Sequence, residues 1–201
     1  MNEFIRIFLP IYLTIFFFAV FLLRIFIVRK KTGVNAYLLL KQDGAEGVIA
    51  RYFKLVPLAS ILVVFTPLFF PSVYFYLVPF HWMEKQQFLI LTGLSLLIIS
   101  LIWIWVSQTQ MGNSWRIGID DKNKTDLVTN GVFLISRNPI FLGLVINLFG
   151  FFLVLPNAAT LAIMLLGIAV VEIQVALEEQ YLLKSHGENY VNYCKKVRRW
   201  L

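Results

Sequence analysis

Residues 136–179 read SRNPIFLGLVINLFGFFLVLPNAATLAIMLLGIAVVEIQVALEE. Two apolar runs, 139–155 and 157–177, are joined only by PNA at 156–158. A helix needs about 20 apolar residues to cross the hydrocarbon core. A connection this short leaves one arrangement for two such runs, a tight antiparallel helical hairpin. Polar residues stand at both open ends of that hairpin, Arg137 and Asn138 before it and Glu178 and Glu179 after it. The reading of this stretch decides the fold, because the rest of the chain follows the same apolar pattern.

Of the 201 residues, 59% are hydrophobic and 14% charged, against about 25% charged in an ordinary soluble domain. Mean hydropathy is +0.77. The composition is that of an integral membrane protein, and the net charge of +7 is better explained by topology and anionic lipid than by nucleic acid. With Cys194 as the one cysteine, neither an intrachain disulfide nor a cysteine metal set is available. The N-terminal apolar stretch is longer than a signal core and no small-x-small site follows it, so it reads as a retained first span.

Five spans are expected, at roughly 7–28, 55–80, 87–106, 139–155 and 157–177. The second carries Pro57, Pro67, Pro71 and Pro79, which predict a kink or a split into a re-entrant pair. Lysine and arginine set the orientation. Segment 29–54 holds six, loop 107–138 four and the tail from 178 five; the others are Arg6, Arg24 and Lys85. With five spans the three basic segments fall on one side, which the positive-inside rule makes cytoplasmic. The expected architecture is an all-α polytopic membrane protein with a C-terminal hairpin and a cytoplasmic amphipathic tail helix. Polar chemistry gathers on that same side.

Three constellations carry it. Pro139 suits the first turn of a helix, Asn138 before it suits a cap, and such a helix start attracts anions. Arg137 adds a planar fork of donors, and Gly143 and Gly150 leave room for close packing or a ligand. The plainer reading is a capped helix with an interfacial arginine anchor. In the fifth span, Glu172 and Gln174 interrupt an apolar run, and polar groups at that depth usually face a cavity or a partner. Gln174 and Glu178 lie about 40° apart on one helical face. In the tail, Tyr190, Tyr193, Val197 and Trp200 recur at helical spacing and predict a short amphipathic helix on the membrane or over a pocket. His81 and His186 are far apart, and no metal-ligand or Ser/His/Asp spacing occurs.

Taken together, these motifs resemble the isoprenylcysteine carboxyl methyltransferase family and its phospholipid methyltransferase relatives. The resemblance rests on VTNGVF (128–133), RNPIFLG (137–143), EEQYL (178–182), GENY (187–190) and YCKKV (193–197), in order, over about 75 residues. It implies a membrane methyltransferase that uses S-adenosyl-L-methionine. On that resemblance the chain is one membrane domain, with three spans in 1–106 and a cofactor-binding loop, hairpin and tail in 107–201. The family's cofactor contacts fall on Thr125, Asp126, Leu127, Val128, Phe133, Asn138, Pro139, Ile140, Phe141 and Glu178. Asn138 stands where the family has His, and Phe141 where it has Tyr. Gln174 stands where the family's arginine pairs with a substrate carboxylate. An amide can hydrogen-bond to an acceptor but cannot neutralise a carboxylate, which argues against a prenylcysteine carboxylate.

The implied reaction is direct methyl transfer to an O, N or S atom of an amphiphilic or small acceptor. The protein supplies alignment and a dry site, and no residue stands out as a general base. The expected partners are the lipid bilayer and that acceptor, without metal or nucleic acid. Two other readings stand beside it. One is an NADPH-dependent membrane reductase of the sterol-reductase type, although the segment before Glu178 lacks the bases that would hold a 2′-phosphate. The other is a non-catalytic membrane scaffold.

Overall fold

The first apolar run forms one continuous helical rod, Glu3–Thr32. It comprises α1 (Glu3–Phe17), a wide π-turn over Phe18–Leu23, and α2 (Arg24–Thr32). It is followed by α3 (Gly44–Phe69), α4 (Pro71–Leu77), α5 (Gln87–Met111), α6 (Pro139–Val154), α7 (Ala158–His186) and α8 (Glu188–Lys196). The structure is a computed structural model, and it describes residues 3–34, 36, 44–77, 83, 85–118 and 125–201. Lys41, Pro79, His81, Lys122 and Lys124 lie outside the described residues.

Among the described residues, four helices are long and apolar enough to cross a membrane: Glu3–Thr32, Gly47–Phe69, Gln87–Ser114 and Ala158–His186. The expected fourth span is the shorter helix Pro139–Val154. Its 16 residues reach about 24 Å at 1.5 Å each, less than the roughly 30 Å hydrocarbon core. The last span outruns its apolar stretch, so Glu178 and Glu179 remain helical. Within the expected second span, α3 passes through Pro57 and Pro67. The helix breaks at Phe70, immediately before Pro71, where a residue preceding proline is disfavoured in the helical region.

The hairpin turns at Leu155–Asn157. Asn157 Oδ1 accepts from Thr160 N at 2.8 Å while Thr160 Oγ1 accepts from Asn157 N at 3.1 Å, a reciprocal capping box that fixes the start of α7. Helices α5 and α6 approach closely at two glycines. A Cβ on Gly93 would lie 2.9 Å from Gly150 O, and one on Gly143 would lie 2.4 Å from Ile104 Cγ1. Close helix packing therefore accounts for Gly143 and Gly150. A buried polar knot ties α1 to this pair. Tyr12 Oη donates to Leu97 O at 2.9 Å, and Asn147 Nδ2 donates to Tyr12 Oη and to Ser100 Oγ.

Arg24 is buried in the first rod, and its Nη2 donates to Gln108 O at 2.5 Å and Gly112 O at 2.6 Å. Those carbonyls belong to the negative end of α5, where a cation is favoured. The guanidinium also lies 5.9 Å over the Trp115 ring, a cation–π arrangement. Beside it, Gln108 Nε2 donates to Val20 O at 2.9 Å, inside the π-turn, whose wider ring disturbs the regular ladder. The π-turn and Arg24 together join the first rod to the end of α5.

Candidate functional site

The cavity at the hairpin's open end is lined by the end of α5 and the turn after it, the loop 125–134, the start of α6, the last turns of α7 and Tyr193 of α8. The loop is held from both sides. Gln110 Oε1 accepts from Val132 N at 2.8 Å, and a Cβ at Gly131 (φ +59°) would fall 2.1 Å from that same oxygen. From the tail helix, Tyr193 Oη donates to Phe133 O at 2.5 Å. Burial pushes the Tyr193 phenol up to about 12, so this donor keeps its proton well past neutrality. Tyr190, Tyr193 and Val197 pack against Leu127 and Leu182, which lays α8 over the loop.

The resulting cleft leaves about 840 Å³ of space between its walls, part of it open to solvent. All ten positions expected to touch a cofactor line it: Thr125, Asp126, Leu127, Val128, Phe133, Asn138, Pro139, Ile140, Phe141 and Glu178. Residues not singled out from the sequence join them. Met111, Ser114, Arg116 and Gly118 come from the end of α5 and the turn after it, and Tyr181 and Leu182 from α7. The signal for the first group was MGNSWRIG, a polar, glycine-bearing break directly after an apolar run.

Two local expectations change. The Asn138 side chain does not cap α6. Its Nδ2 instead donates to Glu179 Oε1 at 3.1 Å and to Arg199 O at 3.4 Å. The helix start at Ile140 and Phe141 therefore meets the cleft without a side-chain cap, and the first N–H groups of a helix have no partner within it. Arg137 also lines the cleft, but its fork is taken up by Glu179 and the tail. Nε and Nη2 donate to Glu179 Oε1, and Nη1 donates to Cys194 O and Val197 O.

Gln174 is buried and lines a second cavity. Glu178, Phe141, Ile140, Met111, Arg116 and Gly118 belong to both cavities, so Gln174 and Glu178 do share a face. Glu172 is exposed on the other side of α7. Phe141 meets Phe53 edge to face with centroids 6.4 Å apart. Phe21, Phe53 and Leu144 line both the second cavity and a third, which is walled mostly by apolar side chains of α1, α3, α6 and α7. The three cavities adjoin one another through these shared walls.

Comparison with known families decides what kind of protein this is. A family model described as phospholipid methyltransferase matches residues 88–189, half of the chain. The chain belongs to the phospholipid methyltransferase family. Against curated proteins and solved structures the chain has no significant match. The matched segment runs from the start of α5 to the start of α8 and holds every residue of the outer cleft except Tyr193. This is a membrane methyltransferase family whose members generally use S-adenosylmethionine. Among the described residues no cluster of three His, Cys, Asp or Glu could hold a metal.

Proposed function

We propose that this phospholipid methyltransferase family member is an S-adenosyl-L-methionine-dependent enzyme that methylates an amphiphilic or small acceptor. The observation that carries this reading is the adjacency of the cavities. Glu178 and Phe141 line both the cleft and the second cavity, and Phe21, Phe53 and Leu144 line both the second cavity and a mostly apolar third one.

The residues of the cleft fit the cofactor. The uncapped start of α6 at Ile140 and Phe141 suits the methionine carboxylate. Glu178 suits the ribose hydroxyls or the amino group. Phe133 and the apolar parts of Leu127, Val128 and Leu182 suit the adenine ring. Bound there, S-adenosylmethionine supplies a methyl group already activated on a sulfonium. The protein's own contribution is alignment and exclusion of water. Gln174, on the acceptor side of Glu178, offers a hydrogen bond and no charge. An acceptor with an apolar tail reaches the inner cavities laterally from the bilayer. The basic segments place the cleft on the cytoplasmic face, where the cofactor is dissolved. A carboxylate acceptor needs no base; an amine or thiol must release a proton to water or to a neighbouring group.

The test is calorimetry or thermal shift on detergent-purified protein with S-adenosylhomocysteine, NADPH and neither. Stabilisation by S-adenosylhomocysteine, lost in Glu178→Ala with the fold retained, is the expected result. Stabilisation by NADPH alone sinks the reading in favour of a reductase, and no response to either favours a scaffold. Incubation with radiolabelled methyl donor, membrane lipid extract and small thiols then identifies the acceptor class.

A further inference from the structure

Glu179 sits next to the proposed cofactor glutamate but does not line the cleft. Its carboxylate collects donors from three residues. On Oε1 these are Arg137 Nε at 3.3 Å, Arg137 Nη2 at 3.0 Å and Asn138 Nδ2 at 3.1 Å. On Oε2 they are Arg199 Nε at 3.1 Å and Nη2 at 2.6 Å. Around this hub the tail lies along the entrance to α6. Arg137 N donates to Arg198 O at 3.0 Å, and Ser136 Oγ to Arg199 O at 3.1 Å. Asn138 Nδ2 also reaches Arg199 O.

The consequence lies at the helix start. Asparagine is among the best N-caps, and when it caps, its side chain accepts from the first N–H groups of the helix. Here the Asn138 side chain makes no such bond, because Glu179 and the Arg199 carbonyl hold its amide toward the tail. A capped α6 would offer its N–H groups to Asn138 rather than to a ligand. We propose that Glu179 is a positioning residue: through Asn138, and with Arg199 as its second anchor, it keeps the N-terminus of α6 open toward the cleft. This rests on the cofactor reading above, and it assigns to Glu179 a role different from the ligand contact given to Glu178.

The experiment is isothermal titration of S-adenosylhomocysteine into the full chain in detergent, arranged as a double-mutant cycle. The proteins are the unmodified chain, Glu179→Gln, Asn138→Ala and the double variant. Glu179→Gln is expected to weaken binding about tenfold in the unmodified background and less than threefold in the Asn138→Ala background. An equal loss in both backgrounds, or no loss in either, overturns the role. Should Glu179→Gln fail to fold, Arg199→Ala replaces it, since Arg199 is largely exposed (42% side-chain accessibility). Arg199→Ala is expected to weaken binding a few-fold, with Arg199→Lys restoring part of it; unchanged affinity again overturns the role. A readout without ligand separates this from failure of the cofactor reading. Hydrogen exchange in a peptide covering 133–142 is expected to quicken in Glu179→Gln, because the tail no longer protects the Arg137 amide. Unchanged exchange refutes the positioning role even if the unmodified chain binds no S-adenosylhomocysteine.

Discussion

Arg24 and Tyr193 each hold a piece of the site in place. Arg24 closes the end of α5 through Gln108 O and Gly112 O. Replacing it with Met removes the charged donor from both carbonyls, which keep only their backbone partners Gly112 N and Trp115 N, and a hydrogen bond to a charged group contributes about 1.5–3 kcal/mol. Arg24→Met is expected to lower stability by about that amount in a mixed-micelle denaturation, with Arg24→Lys intermediate; an unchanged midpoint would show that the guanidinium does not cap α5. Tyr193 predicts a pH dependence. Its phenol titrates near 10 when unfolded and at about 12 when folded. The folded state holds the proton more tightly, so the Tyr193 contribution to stability is full below pH about 10 and is lost as pH rises toward 12. Thermal midpoints of the unmodified chain and Tyr193→Phe should therefore differ by a constant amount from pH 6 to 9 and converge only above about 10. At this scale the sequence marked Asn138 and Arg137 as polar groups beside a helix start. It could not say that Glu179 would claim both, because the competitor lies about 40 residues away in sequence.

Among the elements, the pair α5 and α6 depends on missing side chains. A Cβ on Gly93 meets the Gly150 carbonyl, which is backbone and cannot turn aside, whereas one on Gly143 meets the Ile104 side chain. Overpacking costs typically 1–3 kcal/mol. Gly93→Ala is therefore expected to lose more thermal stability than Gly143→Ala, and the reverse order would refute the packing described here. The hairpin itself was legible from PNA alone, since so short a connection leaves one geometry. The extent of α6 was legible as well: the apolar run 139–155 and the helix Pro139–Val154 share their first residue and differ by one at the end. What the sequence could not show is the bond from Trp103 Nε1 to Pro139 O at 2.8 Å, which ties the first turn of α6 to α5 across 36 residues of chain.

On the scale of the whole molecule, the adjoining cavities predict that cofactor and acceptor sites can be separated by substitution. Leu144 lines both inner cavities and is absent from the outer cleft. Leu144→Trp is expected to cut methyl transfer at least tenfold while S-adenosylhomocysteine affinity changes less than twofold. Equal loss of both would mean that the inner cavities do not receive the acceptor. The sequence by itself determined that this is a helical membrane protein with a C-terminal hairpin, because apolar run length and the PNA turn are local facts that no distant contact can override. It also supplied, through motif resemblance, the ten positions that line one cleft. Only the tertiary structure decided that α6 starts uncapped, that Arg137 and Asn138 face the tail, and that Glu178 rather than Glu179 borders the cavities. Those outcomes turn on which of several nearby donors a carboxylate meets, and that competition is resolved only when α6, α7 and the tail are packed against one another.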